Sequence, residues 1–577
     1  MKNIISIWQV LSGKVKQKFF IFFSLSVASA LADVLVVGMT APLLTLMMSG
    51  NQSTAESPIS LILNNLGLSN SGEITLFMAM FFVIILTVSG ILRVAVALAQ
   101  QIVTQGIGTE LSTKIFRNSL YQSYASHISN NSSDFISLVT TKLNVVINTI
   151  ISPALSILSS GLTSIGILIF MLFYSPVFTI VAILFVLLNY LLITGFVRRA
   201  LARDGLIVAQ ETKQASRLLT EASGGIREIT LDNLQELYLK SFRRSDTSLR
   251  QAYVRMNTIA ITPRYLVETS VLVVLTLLGY SLSNDKNFAA MIPSIGIVGL
   301  AALKLLPSFQ LIYTSWSRIR GGQVVFGEVV DHLISRTPTR GHCEKYKLFT
   351  FRDSIELSNV TFFHKNSSRP TLSNISLQIR FGQRVGIVGK SGCGKSTLLD
   401  LIMGLLEPSS GKLLVDGKHL VEKNLRSWQG IVSHVPQSIF LVDASVAENI
   451  AFGVPSADID LERLIAVCRH ANILNDIQAW TEGFNTRVGE RGILLSGGLR
   501  QRVGIARALY KNPTVLIMDE ATSALDLTTE EQIIADINSM SDGMTIIVVS
   551  HRPSSLKHCD QILQLHAGKL RNSQVLP

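Results

Sequence analysis

The chain has 577 residues, of which 48% are hydrophobic and only 16% charged, and its mean hydropathy is +0.40. Soluble globular domains carry about 25% charged residues, and the shortage here lies before about residue 320. The composition therefore excludes a wholly soluble protein and indicates a membrane domain followed by a globular one. The cysteines are scattered without a CxxC pair, so neither a zinc site nor a disulfide framework is indicated.

The first half of the chain holds six apolar segments that reach the length of about 20 residues needed to cross a bilayer as a helix. We predict spans at residues 19–48, 74–98, 151–173, 176–196, 266–282 and 288–313. Lysines precede the first segment as in a signal peptide, but the segment is too long for one and more spans follow it. It is therefore predicted to be a retained transmembrane helix.

Basic residues orient these spans. The net charge of +12 fits either a nucleic-acid partner or the cytoplasmic face of a membrane. Residues 49–73 contain no Lys or Arg, whereas 197–264 contain many. The positive-inside rule then places the N-terminus and the segments 99–150 and 197–264 in the cytoplasm. We expect an inner-membrane protein with no nucleic-acid partner, in which six spans return the chain to the cytoplasm.

A second domain follows the spans. From residue 355 the pattern changes to short β-rich runs such as "ISLQI" and "RVGIVG", which alternate with helical segments. We predict a six-helix transmembrane domain over 1–320, a linker with a "GG" pair over 321–350, and an α/β domain over 351–577. The fold class is a multidomain membrane protein, all-α and then α/β.

The stretch "RVGIVGKSGCGKSTLLDL" places a glycine-rich turn between a strand and a helix, which is the context that a P-loop requires. The glycines let the backbone N–H groups, together with the helix N-terminus, face phosphate oxygens. Lys395 is expected to contact the β- and γ-phosphates of ATP, and Ser396 to bind Mg²⁺. The predicted phosphate-binding residues are Gly389, Ser391, Gly392, Cys393, Gly394, Lys395, Ser396 and Thr397.

Two adjacent acids end a second apolar strand, "TVLIMDEATSALD" (514–526). Asp519 is predicted to hold Mg²⁺ through water. Glu520 is predicted to polarise the attacking water as a general base. This DE pair follows the P-loop at a distance typical of P-loop ATPases.

The segment "LLSGGLRQRVGIARAL" (494–509) resembles the signature of ATP-binding cassette (ABC) ATPases. The P-loop, this segment, the DE strand and "VVSHR" (548–552) follow that family's order. Together with the six preceding spans, the whole chain resembles a half-size bacterial ABC exporter with fused membrane and nucleotide-binding domains. The resemblance implies ATP and Mg²⁺ as cofactors.

The resemblance also implies roles for loop residues around the nucleotide. Gln437, in "VPQSIFL", would contact Mg²⁺ and the attacking water, and His551 would contact the γ-phosphate. His364 stands where the family usually has a tyrosine that stacks on adenine. Since imidazole offers less area, weaker nucleotide affinity is expected. Glu520 and His551 are both present, which favours an active ATPase.

The signature residues imply a second subunit. In the family, Ser496, Gly497 and Gly498 would bind the γ-phosphate of ATP held by the partner, and Asp526 would lie at the dimer interface. Leu499 departs from the usual glutamine. Because each chain carries one set of motifs, the resemblance implies a homodimer that sandwiches ATP twice.

The membrane half resembles bacterial lipid-linked oligosaccharide flippases more than drug or peptide exporters. The stretches that carry this resemblance are "TPRYLVE" (262–268), "LAALKLLPSFQLIYTSW" (300–316) and the amphipathic "SPISLILNNLGL" (57–68). The last of these is expected either at the outer-leaflet interface or as an ordinary connecting helix.

Three cations lie within or at the ends of the predicted spans: Arg93, Arg264 and Lys304. Charges inside spans are costly and usually functional, so these residues are candidates to attract a pyrophosphate headgroup. The alternatives are that they snorkel to the interface or pair with Asp33 or Glu268.

We therefore predict a homodimeric exporter of the bacterial cytoplasmic membrane that flips a lipid-linked oligosaccharide or similar glycolipid outward at the expense of ATP. One alternative is an exporter of another lipid, a drug or a peptide. Another is a non-transporting ATP-gated channel or regulator, against which the intact catalytic residues count.

Overall fold

The computed structural model describes residues 8–9, 11–49, 71–129, 132–174, 176–282, 288–334, 349–365, 367–539 and 543–572. The chain forms two compact units, one of Met1–Gln122 with Asn130–Pro338 and one of Ser123–Ser129 with Thr339–Pro577. The first is helical and the second α/β, which confirms the predicted fold class. The amphipathic segment 57–68 lies outside the described residues.

Among the described residues, six long helical stretches build the first unit, as predicted. They are α1 (Gly13–Ser49), α2 (Ser71–Leu120), α4 (132–174), α5 (Pro176–Gly224), α7 (Gln235–Leu282) and α8 (Phe288–Ile334). Within α4, the segments Leu138–Lys142 and Ile147–Ile151 are π-helical. Two short helices occur between the long ones in the chain, α3 (Tyr124–Ser129) and α6 (Ile226–Leu231).

The helices are longer than a bilayer requires. The 50 residues of α2 extend about 75 Å at 1.5 Å per residue, against a hydrocarbon core of about 30 Å. Four helices qualify as spans by length and hydropathy among the described residues: Gly13–Leu44, Thr75–Leu120, Phe135–Tyr174 and Ile297–Leu333. The predicted spans 176–196 and 266–282 lie on α5 and α7, where the side chains of 185–196 and 277–282 are outside the description.

One face of α2 is apolar and exposed. Leu76, Met80, Val83 and Ile91 each expose 59–64% of their surface. A patch of this size on a soluble monomer is unusual, whereas lipid tails would cover it. The pattern therefore fits a helix that faces the bilayer.

Helix α8 runs on to Ile334, past the predicted domain boundary at residue 320. The "GG" pair, predicted to be part of a linker, lies within this helix and permits close helix packing. A Cβ on Gly205 of α5 would lie 2.4 Å from the Gly321 carbonyl oxygen, and one on Gly322 would lie 2.2 Å from Thr149 Oγ1. The three-part division of the chain stays a prediction.

The second unit contains two sheets. The strands are β1 (Ser354–Phe362), β2 (Leu372–Arg380), β3 (Arg384–Val388), β4 (Ser410–Val415), β5 (Lys418–His419), β6 (Val432–Val435), β7 (Val515–Asp519), β8 (Thr545–Val549), β9 (Gln561–His566) and β10 (Lys569–Asn572). An antiparallel sheet has the order β2-β1-β4-β5, and a six-stranded sheet has the order β10-β9-β3-β8-β7-β6. In the second sheet β9, β3, β8, β7 and β6 are parallel, with Val385 and Ile517 both paired to Ile547.

Besides α3, eight α-helices lie between or after these strands in the described part of the unit. They are α9 (Lys395–Ile402), α10 (Glu422–Ile431), α11 (Val446–Ile450), α12 (Leu461–His470), α13 (Leu474–Ala479), α14 (Gly497–Tyr510), α15 (Leu527–Ser539) and α16 (Pro553–Leu556). The central strands of the parallel sheet are apolar on both faces because helices and the antiparallel sheet cover them; Ile387, Ile517 and Ile547 are fully buried. This core fixes the strand ends that carry the candidate site.

Candidate functional site

Four loops converge at one edge of the parallel sheet. Lys395 follows β3, His551 follows β8, Glu520 follows β7 and Gln437 follows β6. These strands are neighbours in the order β3-β8-β7-β6, and parallel strands end at the same edge. Ligands of open parallel sheets bind beyond the carboxyl ends of the strands. The topology alone thus brings together residues that are far apart in sequence.

Close backbone approach and positive φ angles explain the glycines of the phosphate loop. A Cβ on Gly389 would lie 2.4 Å from the Leu565 carbonyl oxygen and 2.7 Å from Cys393 Sγ. Gly392 and Gly394 have φ of +76° and +105°, which side chains rarely tolerate. Gly394 caps α9, whose first N–H groups have no carbonyl acceptor within the helix. Ser391 is exposed beside Gly392, and Thr397 lies in the first turn of α9.

Lys395, His551, Glu520 and Gln437 form one connected cluster. The buried Lys395 donates from Nζ to the carbonyl oxygens of Gly389, at 2.6 Å, and Lys390, at 3.4 Å. His551 Nε2 lies 3.2 Å from Lys395 Nζ and 3.3 Å from Glu520 Oε1. Gln437 Nε2 donates to Glu520 Oε2 at 2.7 Å. Both oxygens of Glu520 therefore have a polar neighbour.

His551 Nε2 cannot make both of these hydrogen bonds at once, because the same nitrogen would have to donate to Glu520 and accept from Lys395. A proton on Nε2 allows donation to Glu520, whereas a lone pair there accepts from Lys395. The His551 side chain is 52% exposed. One proton position thus selects between the acid and the lysine.

Glu520 is held in an unusual backbone conformation. Its φ is +49°, in the left-handed region that non-glycine residues seldom adopt. Its N–H donates to the Val549 carbonyl oxygen at 2.9 Å, and its carbonyl accepts from Ser523 N at 3.1 Å. Strain of this kind persists where neighbouring structure enforces it, and it aims the carboxylate at the loop cluster.

Asp519 and Ser396 form the candidate Mg²⁺ position, since Ser396 Oγ donates to Asp519 Oδ2 at 3.2 Å. Hydroxyl and carboxylate oxygens are the donors that Mg²⁺ prefers. Burial, with the charge of Glu520, raises the pKa of Asp519. Burial and the charge of Asp519 raise the pKa of Asp400 to about 6. Ser396 and Asp519 thus offer two oxygen ligands to a divalent cation, although no group of three or more His, Cys, Asp or Glu side chains that could hold a metal occurs among the described residues. The sequence reasoning missed Asp400.

Ser496 lies at the start of the signature helix and accepts a hydrogen bond from Leu499 N at 3.2 Å. A Cβ on Gly497 or Gly498 would contact Ala524 or Leu525 at 3.4–3.6 Å. Across the described ranges, no hydrogen bond or ion pair joins 496–498 to the phosphate loop 389–397. Among these residues, no polar contact therefore connects the two predicted halves of the ATP site within the chain.

Asp526 caps a helix in this structure. Its Oδ2 accepts from Thr529 N at 3.0 Å and from Thr528 Oγ1, at the start of α15. These hydrogen bonds lower the pKa of the carboxyl. The predicted interface aspartate therefore also has an intrachain role that the resemblance did not indicate.

His364 is exposed and packs edge-on against Phe362, with ring centroids 5.1 Å apart. Phe363 beside it is also exposed. The predicted adenine-stacking position thus has two rings at the surface.

Sequence reasoning also missed a buried clamp beneath the site. Arg552 donates to Glu530 Oε2 at 2.6 Å and to the carbonyl oxygens of Ser523 and Leu525, at 2.9 and 3.0 Å. The fully buried Glu530 also accepts from Thr522 Oγ1 at 3.0 Å and from Ser555 Oγ. The clamp ties the loop after Glu520 to the loop that carries His551. Arg552 follows the histidine directly, but no motif pointed to its partner.

In the first unit, Arg93 and Lys304 meet on one acid. Asp33 accepts from Lys304 Nζ at 3.0 Å, from Ser89 Oγ at 2.8 Å, from Arg93 Nε at 3.2 Å and also from Arg93 Nη2. This is the pairing with Asp33 that the sequence left open. Arg264 lies apart from this cluster and pairs with Glu268 on α7 at 3.7 Å.

Comparison with known proteins matches both units. The family model of the ABC transporter transmembrane region matches residues 19–317, more than half of the chain, and the ABC transporter model matches 372–523. An ATP-dependent lipid A-core flippase of Burkholderia pseudomallei (strain 1710b) is 30% identical over 487 residues, covering 82% of this chain and 79% of that protein. The protein of that name from Paraburkholderia xenovorans (strain LB400) is 28% identical over 483 residues, with the same coverage.

A solved structure shares the fold. The structure of a bacterial Atm1-family ABC exporter with ATP bound aligns over 94% of both chains, with a TM-score of 0.76 and 21% identity. The glycine loop, the DE strand and the helical unit before them are accounted for by one family. The chain belongs to the ABC transporters, as a half-size exporter whose membrane unit is fused to an ATPase unit that hydrolyses ATP, with Mg²⁺, to drive transport.

Proposed function

We propose that the loop cluster hydrolyses ATP with Glu520 as the general base, which takes a proton from the attacking water. Gln437, which already donates to Glu520, would orient that water. Lys395 and His551 would leave their present contacts for the phosphate oxygens. Mg²⁺, held by Ser396 and Asp519 with Gln437 nearby, would neutralise charge on the β- and γ-phosphates.

The nucleotide itself would lie along the glycine loop. Backbone N–H groups of 389–397 would hold the phosphates, and His364 would stack on the adenine. Because Cys393 is buried, its contribution would come from the backbone.

A dimer would complete this site. Ser496, Gly497 and Gly498 of one subunit would contact the γ-phosphate on the other, with Asp526 at the interface. Among the described residues, no hydrogen bond or ion pair joins 496–498 to the phosphate loop of the same chain, which supports this arrangement. In a homodimer, each subunit would contribute its phosphate loop to one ATP site and its signature residues to the other.

The proposed cargo is a lipid-linked oligosaccharide or similar glycolipid, moved outward across the bacterial inner membrane. The observation that carries this proposal is the pair of cations, Arg93 and Lys304, on Asp33, since phosphate groups of a headgroup suit such a pair. The relatives are lipid A-core flippases by name, which supports a cargo of the glycolipid class. Arg264 stays a predicted headgroup contact.

The N-terminus and the ATPase unit would face the cytoplasm. The absence of Lys and Arg from 49–73 and their abundance in 197–264 support this orientation. ATP would then reach the site directly, and the headgroup would move away from it.

The test uses purified protein in liposomes with a fluorescent polyprenyl-pyrophosphate oligosaccharide, and follows headgroup movement between leaflets after ATP is added. Glu520→Gln serves as the matched inactive variant. Movement with wild type alone supports flipping of this cargo. ATP hydrolysis without movement would exclude this cargo and favour another lipid, a drug or a peptide. Ion conductance gated by ATP would favour the channel alternative.

A further inference from the structure

Asp33 is the centre of a cluster that joins three helices of the membrane unit. It lies on α1, Arg93 and Ser89 lie on α2, and Lys304 lies on α8. The Asp33 and Ser89 side chains are almost fully buried, and Lys304 is 14% exposed. Arg93 is 47% exposed. The acid is thus enclosed, whereas one of its two cations remains accessible.

The cluster carries a surplus of positive charge. One carboxylate faces two cations, and in the described part of the chain neither cation has an ion pair with another acid. All three charged residues lie in predicted spans, where an unbalanced charge is costly. An anion beside Arg93 would balance it, and the guanidinium retains donors for a phosphate because Asp33 uses only Nε and Nη2.

We infer that Asp33 is an internal counter-ion that competes with an anionic headgroup for these cations and so sets how tightly the membrane unit holds its cargo. This inference rests on the proposed function and adds a residue to it. The ligand class is an amphiphile with a phosphate or pyrophosphate group.

A built-in competitor suits transport. Two unopposed cations would bind a pyrophosphate tightly, and tight binding slows release on the far side. With Asp33 present, Arg93 can turn to the headgroup while Lys304 stays on the acid, and the return of Arg93 to Asp33 displaces the headgroup. The carboxylate therefore weakens binding and speeds release.

The inference predicts opposite effects for an acid and a base that touch each other. Asp33→Asn removes the competitor and leaves both cations, so the Kd for a pyrophosphate lipid should fall about tenfold. Arg93→Gln should raise this Kd by a similar factor. In the double variant Asp33→Asn with Lys304→Met, the cluster has one cation and no acid, so its net charge is +1 as in wild type. The Kd should then return to within about threefold of wild type.

The experiment measures binding by native mass spectrometry of the full-length protein in detergent. The probes are geranylgeranyl pyrophosphate and geranylgeraniol, which differ only in the charged group. Excess ADP and Mg²⁺ fill the nucleotide site so that the phosphate loop cannot take the probe. Thr87→Val is the control that removes an exposed hydroxyl of α2 outside the cluster, where it bonds only to the Val83 carbonyl oxygen, and its Kd should stay within about twofold of wild type.

If Asp33→Asn weakens binding as Arg93→Gln does, Asp33 only positions the cations and the inference is overturned. The double variant separates this result from misfolding, since a damaged fold would not recover affinity. Equal binding of both probes by wild type also overturns the inference. The proposed flipping is tested separately by the liposome assay, so failure of one does not imply failure of the other. Inorganic pyrophosphate that competes as well as the lipid would overturn the lipid source of the anion.

Discussion

The two units differ in how the chain encodes their charged sites. In the ATPase unit, the four residues of the loop cluster each follow a parallel strand and lie inside a contiguous motif. In the membrane unit, Asp33 and Lys304 are 271 residues apart and meet only because α1, α2 and α8 pack together. Local backbone chemistry specifies the first site, whereas helix packing specifies the second.

The two sites also treat charge differently. The loop cluster is open, with His551 half-exposed and acids gathered where a cation and a nucleotide fit. The membrane cluster contains its own counter-ion. In the loop cluster, the loss of one reacting group should greatly reduce ATP turnover. In the membrane cluster, the loss of the acid and the loss of a base should change ligand affinity in opposite directions.

The largest expected effect is at the open site. Glu520→Gln keeps the shape of the side chain but removes the base, so steady-state ATP turnover should fall about 10²–10⁴-fold, the usual contribution of a general base. ATP should still bind, which can be measured by photolabelling. Glu482→Gln, at an exposed acid of the same unit, is the matched control. A loss below tenfold would assign the base to another residue.

The buried clamp tests whether the open site depends on hidden charges. Glu530→Gln leaves Arg552, which is 35% exposed, without its counter-charge, and losing a hydrogen bond between charged groups costs about 1.5–3 kcal/mol. The midpoint of chemical denaturation of the ATPase unit should fall accordingly. The matched control is Glu531→Gln, at the exposed acid next to Glu530, and this variant should leave the midpoint unchanged. Equal midpoints for both variants would mean that the clamp adds no stability.

These two predictions show what the sequence conveys and what it does not. The P-loop, the DE strand and the loop residues Gln437 and His551 could be predicted because each motif is contiguous and the parallel topology brings the strand ends together. Glu530 could not, because it lies in helix α15 outside any motif and its partner Arg552 is 22 residues away in the loop after β8. A buried acid on a helix needs a basic partner from elsewhere in the fold. The sequence does not show which basic residue is that partner.

The membrane unit repeats this lesson. Arg93 and Lys304 could be selected as unusual charges in apolar spans, but their shared acid was one of several options. The "GG" pair at 321–322 predicts a break when composition alone is considered. Close contact with α5 and α4 instead makes glycine a packing residue within a continuous helix.

Packing of this kind gives the third prediction, now in the membrane unit. Gly205→Ala places a Cβ 2.4 Å from a backbone oxygen of α8, which cannot move as a side chain can. Such overpacking costs about 1–3 kcal/mol, and the thermal midpoint of the full-length protein in detergent should fall. Gly327→Ala on α8, where a Cβ meets nothing within 4 Å, should not lower it. Similar midpoints would show that α5 and α8 do not pack this closely.

A smaller effect is expected from the helix cap. Asp526→Ala removes the acceptor for Thr529 N, so amide exchange over α15 should become several-fold faster. The folded state lowers the pKa of this carboxyl, so its contribution is complete above the unfolded pKa of about 3.9 and is lost as pH falls further. Exchange in Asp526→Asn, which keeps an acceptor, should stay near that of wild type. Unchanged exchange in Asp526→Ala would leave only the interface role.

The smallest effect should come from Arg264, and it sharpens the contrast between a local ion pair and a cluster assembled by packing. Arg264 and Glu268 are half-exposed neighbours on one helix turn, a kind of pair that contributes about 0.3–0.5 kcal/mol. Arg264→Gln should therefore change the thermal midpoint by less than 1 °C and the Kd for geranylgeranyl pyrophosphate by less than twofold. Arg93→Gln, with the same chemistry in the other setting, should change that Kd about tenfold. Equal changes in both variants would mean that the headgroup contacts all the predicted cations, and that proximity to Asp33 does not distinguish them.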